Sequence, residues 1–277
     1  MESQKDFENK VTEFIHRLPP MPDNVEELLA AAKVQDMDDE ELLAYVKHDP
    51  GLCADLLHLA NTFSIRPEGH DDTIEEAVNS VGIKPLIQLI GVWYVRDIIA
   101  QEFNALDHLD DYFQHSQEIS LACRTLSEIL EADEHDCQVA SVAGLIHDMG
   151  RLAIILLSNR VTAPLLGTQW SLMETIIDEE RKLLGLDHCR VGMQLCKKWN
   201  FSTLLQQAVL RHHSPLIDSD FDYLGAIIFT SHFVACSDFS GQTFASMLPY
   251  ELLDRLNLTP EGFNKTQQIY FARMAEN

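Results

Sequence analysis

The stretch from Val139 to Leu157, VASVAGLIHDMGRLAIILL, decides how this chain is read. Apart from His147, Asp148 and Arg151 it is apolar or small throughout, with no period-two alternation and no turn cluster. It predicts one core helix, part of a longer one over 136–158. A helix that is apolar nearly all round is buried on several sides, and so is the His-Asp pair inside it. A buried carboxylate must be neutralised, paired or metal-bound, because an ionised group in a low-dielectric interior costs several kcal/mol even after relaxation. The bland alternative is an internal ion pair between Asp148 and Arg151, three residues on.

Outward from this segment, helical periodicity continues in both directions. Residues 113–130, 170–184, 187–199, 202–213 and 221–238 read as helices, the second of them ending at Gly185. Weaker helices follow around 248–256 and 266–274. Toward the N-terminus, Leu18-Pro19-Pro20-Met21-Pro22 cannot continue a helix and ends a leading one. Asp38 to Glu41 opens a helix to His48 with a capping residue and an acid three positions later, and Thr73 with Glu76 repeats that signal. Residues 52–61 form a further amphipathic segment, and 83–100 a long apolar helix after Gly82. No stretch supplies a sheet, so the fold class is all-α. The polar run Leu106 to Asp111 marks a boundary, giving an N-terminal unit over 1–105, a second over 106–240 and a helical tail over 241–277.

Composition narrows the function classes. At 277 residues and 46% hydrophobic content the chain can bury about 75% of its unfolded surface. It needs no structural metal, so any metal serves a site. A formal net charge of −24 repels phosphate backbones and anionic lipid, which argues against nucleic-acid and membrane partners. A small phosphorylated ligand stays possible where a metal or a buried Arg reverses the local sign. The six cysteines form no CxxC pair, which fits reduced thiols in a reducing compartment. The polar start MESQKDFENK and wholly apolar runs no longer than Leu152 to Leu157 fit a cytoplasmic protein.

His147-Asp148 offers one imidazole and one carboxylate, a donor set suited to Fe, Mn or Zn. As a dipeptide it says little: 12 His and 23 Asp in 277 residues give about one such pair by chance, and there are four. His48-Asp49, His70-Asp71 and His135-Asp136 fall at helix ends or in loops, where capping explains them. The pair gains weight from other histidines on inward faces. His115 shares a stripe with Ile119, Ala122 and Leu126, and His188 one with Val191, Leu195 and Trp199. His212 and His213 follow Leu204, Leu205, Ala208 and Val209, and Asp238 ends the last apolar helix of this unit. His108 and His232 read as surface or capping residues. Cys189 and Cys236 read as packing residues, since soft thiolates suit a hard-donor site poorly.

In order along the chain, several segments resemble the HD superfamily of metal-dependent phosphohydrolases, and within it the HD-related output domain (HDOD) proteins of bacterial signalling. They are Leu18-Pro19-Pro20-Met21-Pro22, His48-Asp49-Pro50-Gly51-Leu52, Leu57-His58-Leu59-Ala60-Asn61, Ala143 to Leu152, Gly185 to Gly192 and His212-His213-Ser214-Pro215. The resemblance implies an HD-like helical bundle with one or two divalent transition-metal ions. His115, His147, Asp148 and Asp238 match the positions that bind the first metal, and His188, His212 and His213 those that bind a second. Asp111, one turn before His115, adds a further candidate carboxylate. Arg151 stands where the catalytic pattern has Lys; it is a candidate phosphate contact, but it cannot donate a proton. Two functions follow from the resemblance. One is a signalling module whose metal pocket recognises a phosphorylated ligand or a signalling partner. The other is an active phosphohydrolase, with Asp148 catalytic, acting on a nucleotide or cyclic dinucleotide.

Overall fold

The computed structural model describes residues 4–20, 25, 29, 38–48, 56, 73–102, 109–157, 176–217, 220–236 and 248–276. The predicted segment 52–61 therefore lies outside the described residues except for Leu56, which is buried. In chain order the helices are α1 (Gln4–Arg17), α2 (Asp39–His48), α3 (Ile74–Val81), α4 (Ile83–Glu102), α5 (Leu109–Ile129), α6 (Glu134–Ile146) and α7 (Met149–Leu157). They continue as α8 (Ile176–Leu184), α9 (His188–Lys198), α10 (Thr203–Arg211), α11 (Tyr223–Ala235), α12 (Tyr250–Leu256) and α13 (Pro260–Glu276). The fold is all-α. Among the described residues the one sheet is a two-residue antiparallel pairing, β1 (Leu216–Ile217) with β2 (Asp220–Phe221), in the turn between α10 and α11.

The helix starts form as the sequence predicts. Glu41 N–H donates to Asp38 Oδ1 at 2.9 Å while Asp38 N–H donates to Glu41 Oε2 at 3.3 Å, so two orphan donors of α2 are satisfied reciprocally. Thr73 and Glu76 make the same box at α3. Aspartates cap α6 and α9: Asp133 accepts from Asp136 N–H, and Asp187 from Arg190 N–H.

One expectation is corrected. The predicted single helix over 136–158 is two, α6 and α7, and His147-Asp148 sits at the joint between them. Arg151 N–H bonds to Asp148 C=O at 2.9 Å, a three-residue closure that interrupts the regular ladder there. Together Glu134–Leu157 is long and apolar enough to cross a membrane, but 78% of that window is buried within the bundle.

Tight backbone packing sets the joint in place. A Cβ on Gly150 would lie 2.0 Å from His188 O and 2.4 Å from Gly192 N, so α7 and α9 cross in backbone contact that only glycine permits. Gly144 lets α6 approach α5 in the same way, since its Cβ would stand 2.8 Å from Ser120 Cα. One hydrophobic core runs from Phe7 and Val11 through Ile119, Ala143, Leu195 and Ile227 to Phe263 and Tyr270. The tail joins it: Gln267 Nε2 donates to the carbonyls of Phe233, Val234 and Cys236 at 3.0–3.4 Å, capping the end of α11.

Candidate metal centre

Four segments deliver the polar side chains to one buried point. His115 comes from α5, His147 and Asp148 from the joint, and His188 from the first turn of α9. His212 and His213 follow α10 at its C-terminus. His147, His188 and His212 are fully buried and Asp148 is 2% exposed.

Asp148 is the hub. Its Oδ2 accepts a 2.7 Å hydrogen bond from Arg151 Nη1, with His147 Nε2 at 3.4 Å and His115 Nε2 at 3.8 Å. Its Oδ1 lies 3.3 Å from His188 Nε2 and 3.4 Å from His212 Nε2 and makes no hydrogen bond.

The imidazoles are held by their other nitrogens. His147 Nδ1 is 2.8 Å from Gly144 O, His212 Nδ1 2.8 Å from Val209 O, and His232 Nδ1 2.9 Å from Ile228 O. A carbonyl only accepts, so each Nδ1 carries a proton, and each Nε2 presents a lone pair when its ring is neutral. His188 Nδ1 lies 2.7 Å from Glu180 Oε2, which also accepts the His188 backbone N–H at 2.9 Å. Carbonyl and carboxylate partners of this kind orient metal-ligating histidines and raise their basicity.

The consequence is a conflict that a cation resolves. His188 Nε2 and His212 Nε2 face each other at 3.4 Å, and Asp148 Oδ1 completes the triangle. In neutral rings all three atoms are acceptors with no donor between them. Metal–donor distances of about 2.0–2.2 Å in a tetrahedral site give donor–donor edges of about 3.3–3.6 Å, so the spacing fits a divalent metal. The electrostatics favour positive charge at this point, carried by protons on His188 and His212 when no metal is bound. Burial works against a proton on either ring, yet Cys189, Glu180 and Asp148 raise His188 well above the ordinary imidazole value, and Cys189 and Asp148 raise His212 to about 9. Burial opposes ionisation of Asp148 too, but Arg151 and His147 hold it well below the usual carboxylate range. His115 is lowered to about 3 by burial and by His147, and burial also keeps His147, His213 and His232 low.

The sequence-derived set is largely brought together. His115, His147, Asp148, His188, His212 and His213 converge, in overlapping groups whose ligand atoms lie within 4.8 Å of one another. Asp238 and His108 lie outside the described residues. Asp111 is exposed, one turn from His115. Arg151 reaches Asp148 directly.

Three residues differ from or extend the sequence reading. His232 is not a surface residue: it is buried and groups with His115 and His147. Its signal was the apolar run of α11, but a helix apolar all round gives no clue to which face meets a site. Glu180, 3% exposed, was missed because it reaches His188 across the turn at Gly185, a contact that helical spacing does not reveal. Cys189 Sγ stands 3.8 and 4.0 Å from the two ring nitrogens of His212; burial pushes its thiol up, but His212 and His188 bring it down to about 7.

Known proteins share this architecture. The solved structure of a putative phosphohydrolase from Shewanella amazonensis SB2B superposes with a TM-score of 0.64 at 20% identity, covering 95% of this chain and 94% of that one. An HDOD domain protein of unknown function from Geobacter sulfurreducens gives 0.61 at 20% identity, covering 99% and 96%. An uncharacterized protein of Treponema pallidum (strain Nichols) is 23% identical over 261 residues, 91% of this chain. The chain spans about half the length of that curated relative, 48%. A family model for the HDOD domain matches residues 18–215, and the chain belongs to the HDOD family.

Proposed function

We propose that this chain is a signalling HDOD protein whose pocket binds a divalent metal, Fe, Mn or Zn, and recognises a phosphorylated ligand or a protein partner without efficient hydrolysis. One observation carries the choice of binding over turnover. Arg151, the side chain best suited to grip a phosphate, spends its guanidinium on Asp148 at 2.7 Å and is itself buried. The same Arg cannot serve as the proton donor that Lys would be.

His188, His212 and Asp148 would hold the metal, with His147 and His213 beside them. A bound divalent ion would supply Lewis-acid polarisation of a phosphoryl oxygen. Glu180 keeps His188 Nε2 aimed at the centre, and the carbonyls of Val209 and Gly144 do the same for His212 and His147. The second reading, an active phosphohydrolase, is favoured by the fullness of the ligand set.

Metal analysis of protein purified without chelator, with a phosphodiester and phosphomonoester screen in added Mn(II), separates the readings. The expected result is bound metal, negligible turnover, and about 2.7 kcal/mol of added stability when free Mn(II) is 100 times its Kd, since the ion binds only the folded chain. Turnover that Asp148→Ala abolishes would establish the enzyme instead. A wild type that retains no metal and is not stabilised by Mn(II) would sink both.

A further inference from the structure

We infer that Arg151 stands in for one of two cations at Asp148, so that this centre holds a single metal ion. The inference deepens the metal-binding reading and rests on it. The two oxygens of Asp148 have different surroundings. Oδ2 accepts from Arg151 Nη1 at 2.7 Å, a charge-assisted bond at the short end of its range. Oδ1 has no hydrogen-bond partner and faces Nε2 of His188 and of His212 at 3.3 and 3.4 Å. A carboxylate that bridges two ions gives one oxygen to each. Here one of those oxygens is taken by a cation that belongs to the chain.

The substitution is hard to reverse from within. Arg151 is 6% exposed and Asp148 is 2% exposed, so the pair is shielded from solvent that would loosen it. A guanidinium does not deprotonate and cannot leave its charge behind when a metal arrives. Among the described residues the acids of the cluster are Asp148 and Glu180. With Arg151 beside them these side chains sum to about −1, so one divalent ion takes the cluster to about +1 and a second to about +3. A second ion near Oδ2, His115 and His147 would lie against the guanidinium and leave a large buried excess of positive charge, which a low-dielectric interior penalises.

The test loads the full chain with Mn(II), removes free ion, and reads stoichiometry by elemental analysis and ion coupling by electron paramagnetic resonance. Wild type should bind one Mn(II) with an uncoupled spectrum. Arg151→Met, which keeps the apolar length and removes the charge, should bind two with a spin-coupled signal; Arg151→Gln serves if the methionine variant does not fold. His188→Met should lose the ion. Two Mn(II) per wild-type chain, one per chain in a folded Arg151 variant, or retention by folded His188→Met would each overturn the inference while leaving metal binding intact. No Mn(II) on wild type would overturn the metal reading as well.

Discussion

The helix pair α5 and α6 carries a buried polar cluster at each end, and the two are built on opposite terms. At one end Arg124 Nη1 donates to Gln138 at 2.8 Å and Nη2 to Glu134 at 2.7 Å, while Nε lies 3.1 Å from Glu128 as an ion pair without a hydrogen bond. Arg273 from α13 closes the network on Glu128 at 2.8 Å and Thr125 at 2.9 Å. At the other end both nitrogens of His115, Nε2 of His147 and Oδ1 of Asp148 are buried without a hydrogen bond. Buried polar atoms are ordinarily satisfied, and a network left incomplete is costly. At the Arg124 end every charge is paired as folded, and the pairs hold helices together. The Asp148 end is complete only with something added.

The sharpest way to break this comparison is at the crossing that assembles the incomplete end. Gly150→Ala forces a methyl against His188 O, where the ideal position is 2.0 Å away. Neither backbone can turn aside, so α7 and α9 must separate. The expected loss is about 3 kcal/mol, at the upper end for overpacking, measured by urea unfolding. Mn(II) binding should fall with it, because the clash moves His188 away from Asp148. Unchanged stability and unchanged Mn(II) binding would show that the crossing tolerates a side chain.

The charge-paired end should respond to loss of its centre in stability alone. Arg124→Met strands the buried Gln138 acceptor and releases Glu134, which is partly exposed and can rehydrate, while Glu128 keeps Arg273. A loss of about 2 kcal/mol in chemical denaturation is expected, the penalty for one buried unsatisfied group with a charged bond removed. Mn(II) stoichiometry should not change. A drop in metal binding would mean that the two ends are coupled through α5.

This contrast also explains what the sequence could and could not disclose. Caps and inward stripes are local properties of spacing, so α2, α3, the faces of α5 and α9, and the inward placement of His115 and His188 are legible from the order of residues alone. The break after Ile146 is not, because no proline or turn cluster marks it; it becomes visible only when Gly150 is seen against His188 O. Glu180 and His232 escaped for related reasons. One acts across a turn, and the other sits on a helix whose composition is the same on every side. The site is assembled by packing between helices, and periodicity describes each helix separately.

The smallest effect should fall on the residue that resemblance marks as a ligand and the structure leaves unbonded. His115 is buried, both its nitrogens lack a hydrogen bond, and burial with His147 nearby holds it neutral across the physiological range, lowered to about 3. An imidazole in that state has lost its hydration without replacing it. Methionine has similar bulk and no donor or acceptor to satisfy, so His115→Met in chelator-treated protein should change stability by less than about 1 kcal/mol, in the stabilising direction. The sign is what matters, because Arg124→Met lies on the same helix and should act the opposite way. If His115→Met instead cost as much as Arg124→Met, the Asp148 end would be structural in its own right, and its unsatisfied atoms would no longer point to a bound ion.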